Sequence, residues 1–199
     1  MNKPLKIAIT GQIGTGKSFV SDVLKSWGYA VYESDLEVKK LYNNPKFVNK
    51  ILSEFKNSIE NIETENGKID KEKLSLYVFD NKENLGKLEK IVHPILQKRQ
   101  IEFIKTHKGN NKLFFDIPLL FQKKLHLNFD FIIYTTASKK IQKDRVMKRP
   151  KMTYGLFRKI LKHQNIENKL IDEFVSLIID TSRDKKQSKS ELKGFLEQN

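Results

Sequence analysis

One octapeptide decides the fold of this 199-residue chain: Gly11-Gln12-Ile13-Gly14-Thr15-Gly16-Lys17-Ser18. It satisfies Gly-x-x-x-x-Gly-Lys-Ser, the pattern of a phosphate-binding loop. A short apolar run, Leu5 to Thr10, precedes it and predicts a buried strand, while Lys17 to Trp27 carries apolar residues at helical spacing. A glycine loop between a strand and a helix indicates a nucleotide triphosphate site rather than an unliganded turn.

Each part of the octapeptide has a physical reason to be there. Glycines let backbone N–H groups converge on phosphate oxygens, because a Cβ would block the approach or forbid the backbone angles. The following helix points the positive end of its dipole at the same anion. Lys17 is expected to neutralise β- and γ-phosphate charge, and Ser18 to bind Mg²⁺ through its hydroxyl. The predicted nucleotide-binding residues are Gly11, Gln12, Ile13, Gly14, Thr15, Gly16, Lys17, Ser18 and Phe19.

Strand and helix patterns alternate on both sides of a helical middle. A second short strand is predicted at 29–32, and further strands at 112–116, 129–135 and 175–179. The intervening residues 36–107 hold several helical patterns and no convincing strand. The sequence therefore predicts an alternating α/β domain with a parallel sheet, interrupted by a helical insertion.

Cap and breaker residues refine the helices. Asp70 and Asn81 are predicted N-caps, and Pro94 is expected to kink or restart the helix that contains it. Further helices are predicted at 139–148 and 155–164, and after Ser188-Lys189-Ser190-Glu191, which matches a capping box.

The composition excludes several classes of protein. Hydrophobic residues make up 38% of the chain, enough for a core, and cysteine is absent. A disulfide framework, a zinc–thiolate site, an iron–sulfur cluster and a cysteine nucleophile are therefore all excluded. We find no targeting segment and no apolar stretch long enough to span a membrane, so a cytoplasmic protein is expected.

The charge balance admits several partners. The 38 basic and 24 acidic residues give a net charge of +14, which suits nucleic acid, a membrane surface or an anionic small substrate. Only five of the 38 basic residues are Arg, whereas proteins that read DNA grooves rely on Arg. A Lys-rich composition without any specific partner explains the charge equally well.

Two carboxylates are candidates for the chemistry beside the loop. Asp35 follows the second strand, where it is either a base for an attacking hydroxyl or a helix N-cap. Asp116 ends a later strand, where it either supports Mg²⁺ through water or holds the loop backbone. Both positions lie at the carboxyl edge of the predicted sheet, where ligands of such folds bind.

Taken together, these motifs resemble the dephospho-CoA kinase family. The matching segments occur in family order over roughly residues 5–182. They are Thr10 to Ser18, Glu33-Ser34-Asp35, His93-Pro94, Asp116-Ile117-Pro118-Leu119-Leu120-Phe121, Arg145 to Arg149 and Ile179-Asp180-Thr181-Ser182. The hexapeptide and the His-Pro pair are the most discriminating, because other phosphate-loop kinases generally lack them.

The resemblance implies a P-loop kinase fold with five parallel strands flanked by helices. The nucleotide-binding core would be residues 1–35 and 108–199, with a lid at about 145–165, and residues 36–107 would bind CoA. The implied reaction is ATP-dependent phosphorylation of the ribose 3′-hydroxyl of dephospho-CoA, which gives CoA and ADP in the last step of CoA synthesis. Mg²⁺ would accompany ATP.

The resemblance also implies roles for single residues. Asp35 would be the base, and Arg145 and Arg149 would come over the transferring phosphate when the lid closes. The acceptor side would be lined by Lys39, His93, Pro118, Leu119, Leu120 and Phe121. On the residues alone, the two arginines also fit a solvated helix face, and His93 also fits a hydrogen-bonding residue at a helix end.

Several positions depart from the family pattern. They are Phe19 for Thr, Glu33 for Asp, Lys39 for Arg or His, Gln122 for Glu, Pro150 for Asp and Ile160 for Arg, with Lys159 and Lys162 as possible substitutes for that last arginine. These changes affect the detailed contacts of the lid, but they leave Lys17, Ser18 and Asp35 in place.

Two other functions stay open at this point. One is a different nucleoside or nucleotide kinase, and the other is a nucleic-acid-binding module. The expected partners are the small molecules ATP and dephospho-CoA, with no nucleic acid and no membrane. The expected assembly is a monomer or a small homo-oligomer.

Overall fold

Five parallel strands form one sheet in the order β2-β3-β1-β4-β5. The strands are β1 (Leu5–Thr10), β2 (Ala30–Glu33), β3 (Lys112–Asp116), β4 (Phe131–Thr136) and β5 (Leu177–Asp180). The predicted five-stranded parallel sheet is therefore confirmed. The computed structural model describes residues 3–199, and every statement below concerns those residues.

Nine helices connect and flank these strands within residues 3–199. They are α1 (Lys17–Ser26), α2 (Ser34–Leu41), α3 (Pro45–Phe55), α4 (Lys71–Asp80), α5 (Lys82–Thr106), α6 (Lys139–Met147), α7 (Tyr154–His163), α8 (Asn168–Phe174) and α9 (Lys185–Gln198), with a short 3₁₀ turn at His126–Asn128. No helix in this part of the chain is both long and apolar enough to cross a bilayer.

The chain divides into two compact units. The sheet unit contains the residues up to Glu33 together with His107–Asn199, and the helical unit contains Ser34–Thr106. All five strands belong to the sheet unit, whereas α2 to α5 make up the helical unit.

β1 is the central strand of the sheet, and its sequence explains why. Ile7, Ala8 and Ile9 are fully buried. An uninterrupted apolar run is what a parallel strand needs when both of its faces are covered. The sheet core around β1 draws on the strands, α1 and α9, through Val20, Val23, Leu24, Phe114, Ile133, Ile179, Leu192 and Leu196.

The carboxyl ends of the strands meet at one edge of the sheet. Ile9 pairs with Asp116 on β3, Thr10 pairs with Tyr134 on β4, and Thr136 pairs with Asp180 on β5. The residues that follow β1, β3, β4 and β5 therefore gather around the start of the phosphate loop, at the edge where open α/β sheets bind ligands.

The helical unit has a hydrophobic core of its own. Ten buried residues from α2, α3, α4 and the intervening loop form it: Leu41, Phe47, Val48, Ile51, Phe55, Ile59, Ile62, Ile69, Leu74 and Val78. Asp70 and Asn81 cap helices as predicted. The Asp70 carboxylate accepts hydrogen bonds from the backbone N–H of Glu72 and Lys73, and the Asn81 side chain accepts one from Glu83.

The predicted start of the last helix is wrong. α9 begins at Lys185, and its N-cap is Asp184, whose side chain accepts a hydrogen bond from the N–H of Lys186. Ser188 lies inside the helix and is buried, and its hydroxyl is 3.5 Å from the carbonyl of Asp184. Two overlapping cap patterns compete here, and the earlier one starts the helix.

Two other helix predictions also need correction. α5 runs through Pro94 without a break from Lys82 to Thr106, so the proline does not restart it. The sequence pattern gave no helix between α7 and β5, where α8 is present.

Candidate active site

The phosphate loop joins β1 to α1 in a backbone form that requires glycine. Gly14 and Gly16 have φ angles of +80° and +92°, in the left-handed region that side chains rarely adopt. A Cβ on Gly16 would lie 2.7 Å from the Thr181 hydroxyl, and a Cβ on Gly14 would lie 2.6 Å from Val146 Cγ2. Access to phosphate is thus one reason for these glycines, and close packing against the protein itself is a second.

Side chains from α6 and from the end of β5 hold the loop from outside. Gln142 Nε2 donates to the Ile13 carbonyl at 2.8 Å, and the Arg145 guanidinium donates to the Gly14 carbonyl at 3.2 Å. The Thr181 hydroxyl donates to the Thr15 carbonyl at 2.8 Å.

A second set of contacts reaches the loop from the segment that ends α7. Gln164 Oε1 accepts a 2.6 Å hydrogen bond from the backbone N–H of Ile13. The Gln12 side chain donates weakly to the Gln164 carbonyl, at 3.5 Å. The middle of the loop is thus linked to the carboxyl end of a helix that lies 151 residues later in the chain.

Thr15 fixes the loop to the sheet. It is buried, and its hydroxyl lies 2.7 Å from the Gln12 carbonyl and 2.9 Å from the hydroxyl of Thr135 on β4. Thr135 is also fully buried, and its hydroxyl lies 3.3 Å from the Thr10 carbonyl at the end of β1. A single hydroxyl on β4, that of Thr135, thereby contacts both the end of β1 and the loop.

Lys17 and Ser18 begin α1. Lys17 Nζ donates to the Gly11 carbonyl at 3.1 Å, so the ammonium group lies back over the loop. Ser18 is exposed, and its helix starts directly after Gly16. The helix N-terminus and the lysine together place positive charge where a phosphate chain would lie.

Asp116 is buried at the carboxyl end of β3, beside Ile9 on β1. Its Oδ2 accepts a 3.2 Å hydrogen bond from the hydroxyl of Ser21 on α1. Because Ser18 precedes Ser21 by three positions, the two serines lie on one face of α1, and this face is directed toward Asp116.

The oxygen donors on this face suit Mg²⁺. A hydroxyl from Ser18 and a carboxylate from Asp116 are the hard ligands that this ion takes, and it usually completes its shell with water and substrate phosphates. Within residues 3–199 no three His, Asp or Glu side chains cluster in a way that would form a full protein cage. The residues present therefore fit an ion that arrives with a nucleotide.

The expected acceptor-side residues of the sheet unit follow β3 in a tight turn. Leu120 and Phe121 are buried, whereas Pro118 and Leu119 are partly exposed. The Leu125 N–H donates to the Leu120 carbonyl at 2.9 Å and closes this turn. Of this group, Pro118 and Leu119 have the surface that a ligand can reach.

The other acceptor-side residues belong to the helical unit. Asp35 and Lys39 are exposed on α2, and His93 is exposed near the middle of α5. Asp35 lies in the first turn of α2, so the N-cap alternative is wrong. The helix-end alternative for His93 is wrong as well, because α5 continues for 13 residues beyond it.

An ion pair fixes α2 within the helical unit. The Arg99 guanidinium on α5 donates to the carboxylate of Glu37 at 2.8 Å and to its carbonyl at 3.2 Å. Burial favours the neutral form of this carboxyl, but hydrogen bonds from Lys40 and Arg99 outweigh burial and hold the pKa of Glu37 below its ordinary value. Asp35 lies two positions earlier on the same helix.

Glu33, which replaces the first Asp of the family motif, ends β2. Its carboxylate pairs with Lys25 of α1 at 2.8 Å. The hydrogen bond to Glu33 raises the pKa of Lys25 above its ordinary value. Within the sheet unit, Glu33 thus joins a strand to the helix that begins at the phosphate loop.

Comparison with known proteins decides the family. The sequence profile of dephospho-CoA kinases matches residues 5–183. A dephospho-CoA kinase from Bartonella quintana is 35% identical over 193 residues, which is 96% of each chain. The chain belongs to the dephospho-CoA kinase family. Members of this family phosphorylate dephospho-CoA with ATP in the last step of CoA synthesis, and the family generally needs a divalent metal.

Solved structures agree with this membership. The structure of a dephospho-CoA kinase from Campylobacter jejuni is 25% identical and has a TM-score of 0.65, covering 99% of this chain and 98% of that one. A Thermus thermophilus protein has a TM-score of 0.84 at 24% identity over 99% of this chain and 98% of its own, which shows the shared fold.

The two arginines that the dephospho-CoA kinase resemblance singled out lie in different surroundings. Arg145 is held by the Gly14 carbonyl and by the hydroxyl and carbonyl of Thr181, at 3.2, 2.7 and 2.8 Å. Arg149 is exposed, two residues after the end of α6. Arg145 thus has a fixed position against the loop, whereas Arg149 lies where a lid would begin.

Sequence reasoning missed the side chains that hold the loop of this dephospho-CoA kinase family member. In the sequence, Thr181 appeared only as part of a motif that matches the family, and Gln164 only as the last residue of a predicted helix. Gln142 and Thr135 gave no local signal. A search for polar residues in the last positions of each predicted strand and just beyond them would have found Thr135 and Thr181, because parallel strands bring those positions to one edge.

Proposed function

We propose that this chain transfers the γ-phosphoryl group of ATP to the ribose 3′-hydroxyl of dephospho-CoA, with CoA and ADP as products. The observation that carries the proposal is the Gly14–Gly16 loop, held by side chains of α6 and of the residue after β5, in a chain that matches the family along nearly its whole length. Such a loop binds triphosphates through backbone N–H groups.

We assign the catalytic roles as follows. Asp35 accepts the proton when the 3′-oxygen attacks the γ-phosphorus and the bond to the ADP oxygen breaks. Lys17 neutralises charge on the β- and γ-phosphates, and Arg145 and Arg149 stabilise the charge of the transition state. The protein supplies position and charge, and it forms no covalent bond to the phosphoryl group.

Mg²⁺ is the divalent ion we propose. Ser18 would hold it through its hydroxyl, and Asp116 would hold it through water. When bound with ATP, the ion neutralises phosphate charge. The Asp116–Ser21 hydrogen bond keeps this carboxylate on the same side of α1 as Ser18.

We propose acceptor-binding residues in each of the two units. Lys39 supplies a positive charge for a phosphate of dephospho-CoA, and His93, Pro118 and Leu119 line the rest. Leu120 and Phe121, which are buried, contribute by holding the turn that carries Pro118 and Leu119. In this assignment residues 36–107 bind the CoA portion, residues 1–35 and 108–199 bind ATP, and residues of about 145–165 act as the lid. We further propose a cytoplasmic monomer or small homo-oligomer that needs no nucleic acid or membrane.

The decisive experiment is an ADP-release assay with ATP, Mg²⁺ and a panel of acceptors: dephospho-CoA, nucleosides and nucleoside monophosphates. We expect turnover with dephospho-CoA to exceed turnover with every other acceptor by at least about a hundredfold, because a site built to bind polar substrate groups rejects analogues that lack them. Faster turnover with a nucleoside or a nucleoside monophosphate would replace this proposal with another small-molecule kinase.

A further inference from the structure

Three consecutive carbonyls of the phosphate loop accept hydrogen bonds from side chains outside the loop. In chain order the pairs are Ile13 with Gln142, Gly14 with Arg145 and Thr15 with Thr181, at 2.8, 3.2 and 2.8 Å. The donors come from α6 and from the residue after β5, between 129 and 166 positions away in sequence. No property of the loop sequence itself requires this arrangement.

The anchoring decides where the loop amides point. No peptide bond in residues 3–199 is cis, and in a trans peptide the N–H points away from the carbonyl of the same unit. The Thr15 carbonyl points to Thr181, so the N–H of Gly16 points to the opposite side. By the same reasoning, the Ile13 carbonyl directs the N–H of Gly14 away from Gln142.

Thr181 is the best supported of the three anchors. It is 8% exposed, and its hydroxyl accepts a 2.7 Å hydrogen bond from Arg145 while donating its proton to the Thr15 carbonyl. The hydroxyl thus has both a donor and an acceptor partner, and the second carbonyl near it, that of Thr136, is more distant at 3.3 Å.

The shape of Thr181 also matches the loop. Its Oγ1, Cγ2 and Cβ pack against Gly16, at 2.7, 2.8 and 3.0 Å from the position that a Cβ on Gly16 would occupy. A β-branched side chain has few χ1 rotamers, so the hydroxyl loses little freedom when it is held in place. Thr181 thus supplies its donor on a short and stiff side chain.

The flanking residues hold the turn that carries Thr181. Asp180 accepts a 2.9 Å hydrogen bond from the Ser182 N–H, and this bond together with nearby Arg183 and Arg145 lowers the pKa of Asp180 below its ordinary value. The Thr181 N–H donates to the Thr136 carbonyl at 2.9 Å. The hydroxyl therefore projects from a fixed backbone.

We propose that Thr181 is a positioning residue for nucleotide binding. Its hydroxyl fixes the Thr15–Gly16 peptide, so that the N–H of Gly16 faces the phosphates before ATP arrives. Thr181 itself does not touch the nucleotide in this proposal. The inference rests on the proposed function insofar as it takes ATP to be the ligand of the loop.

The test compares three variants with the wild type. Thr181→Val keeps the shape and removes the hydroxyl, Thr181→Ser keeps the hydroxyl, and Thr106→Val removes a hydroxyl that bonds to helix carbonyls on α5. Titration calorimetry with MgATP should show affinity about tenfold weaker for Thr181→Val, because a carbonyl loses its partner. Thr181→Ser and Thr106→Val should stay within about twofold of the wild type.

A second measurement needs no ligand. In nitrogen-15 NMR spectra of the nucleotide-free protein, the Gly16 amide signal should shift or broaden in Thr181→Val and keep its wild-type position in Thr106→Val. If Thr181→Val unfolds, the same spectra of Thr181→Ser still decide the question. Because Thr181→Ser keeps the hydroxyl, its Gly16 signal should keep the wild-type position. A Gly16 signal at the position typical of an unfolded chain would contradict the proposal.

Failure of this inference is distinguishable from failure of the proposed function. A Thr181→Val protein that binds MgATP as the wild type does, with an unchanged Gly16 signal, overturns the inference and leaves the kinase proposal intact. A wild-type protein that binds MgATP without phosphorylating dephospho-CoA overturns the acceptor assignment and leaves the inference intact. The KM for dephospho-CoA should be unchanged in Thr181→Val. A general loss of structure would instead raise the KM for ATP and the KM for dephospho-CoA alike.

Discussion

Side chains more than 100 residues away hold the phosphate loop, whereas the acceptor-side residues of the helical unit have no such support. Ile13 and Thr15 contact Gln142, Gln164 and Thr181 through hydrogen bonds of 2.6 to 2.8 Å. In the other unit, Asp35, Lys39 and His93 are exposed on helix surfaces. The phosphate loop is thus held by the fold itself, whereas the proposed acceptor-side residues of the helical unit lie on open helix surfaces.

This difference has a thermodynamic reason. A loop that must present several N–H groups to one anion would lose conformational entropy on binding unless the fold has already ordered it. Exposed side chains on stable helices lose only rotamer freedom. Substitutions on the ATP side are therefore expected to change both stability and nucleotide affinity, whereas substitutions on the acceptor side should change turnover alone.

The largest effect should come from the acceptor side. Asp35→Asn removes the proposed base while leaving the loop untouched, so we expect kcat to fall by about a hundredfold to ten-thousandfold. The affinity for MgATP should stay within about twofold of the wild type. Steady-state kinetics and calorimetry measure the two quantities separately.

The matched control for this change is Asp80→Asn. Asp80 is an exposed carboxylate in the same helical unit, at the end of α4, and its substitution should leave kcat unchanged. A kcat for Asp35→Asn close to that of Asp80→Asn would show that another group takes the proton.

The next largest effect should come from the phosphate loop. Gly16→Ala places a Cβ within 2.7 Å of Thr181 at a φ of +92°, so both a clash and backbone strain oppose the folded state. We expect the free energy of unfolding to fall by about 3 kcal/mol and MgATP affinity to fall at least about a hundredfold. Denaturant titration and calorimetry give these values.

Gly194→Ala is the control on the same unit. Gly194 lies in α9, and nothing comes within 4 Å of an added Cβ there. The substitution should raise the free energy of unfolding by about 0.5–1 kcal/mol, as expected for helix propensity. Equal destabilisation by the two alanines would mean that the loop tolerates a side chain and is not tightly packed.

The smallest effect is a pH dependence in the helical unit. The folded-state pKa of Glu37 lies below its ordinary value, so its pairing with Arg99 and Lys40 stabilises the fold above that value. This stabilisation is lost as the pH falls through the folded-state pKa. We expect the free energy of unfolding of the wild type to exceed that of Glu37→Gln by about 0.5–1 kcal/mol at pH 7. This difference should close between roughly pH 5 and 3.

Urea titrations across that pH range measure the gap. Glu54→Gln, which changes an exposed glutamate on α3, is the control. Its free energy of unfolding should change with pH in the same way as that of the wild type. A constant gap from pH 7 to pH 3 would show that Glu37 stabilises the unit through packing rather than charge.

Local sequence patterns predicted the elements that hold the phosphate loop. β1 and β3 occupy the predicted residues, Leu5–Thr10 and Lys112–Asp116. Each is a short apolar run with a turn-forming residue just after it, Gly11 after β1 and Pro118 after β3. α1 ends near Gly28, whose φ of +85° stops the helix as predicted. Residues close together in the sequence determine these elements, so they could be predicted without knowing the rest of the fold.

The anchors of the loop could not be predicted in this way. Gln142, Gln164 and Thr181 join the loop from sequence separations of 129 to 166 residues, and their residue types are common on surfaces. Only the order of the strands brings them to the loop. Competing local signals caused the other errors, as with Asp184 and Ser188 at the start of α9.

The strand order also constrains how the chain folds during its synthesis. β1 is made first, yet both of its neighbours, β3 and β4, are made only after residue 111. At a ribosomal rate of about 5–20 residues per second, β1 waits roughly 5–20 s for its first partner. Residues 34–106 emerge during that wait with a separate core, so they can bury their apolar side chains while the nascent β1 is still exposed to chaperones.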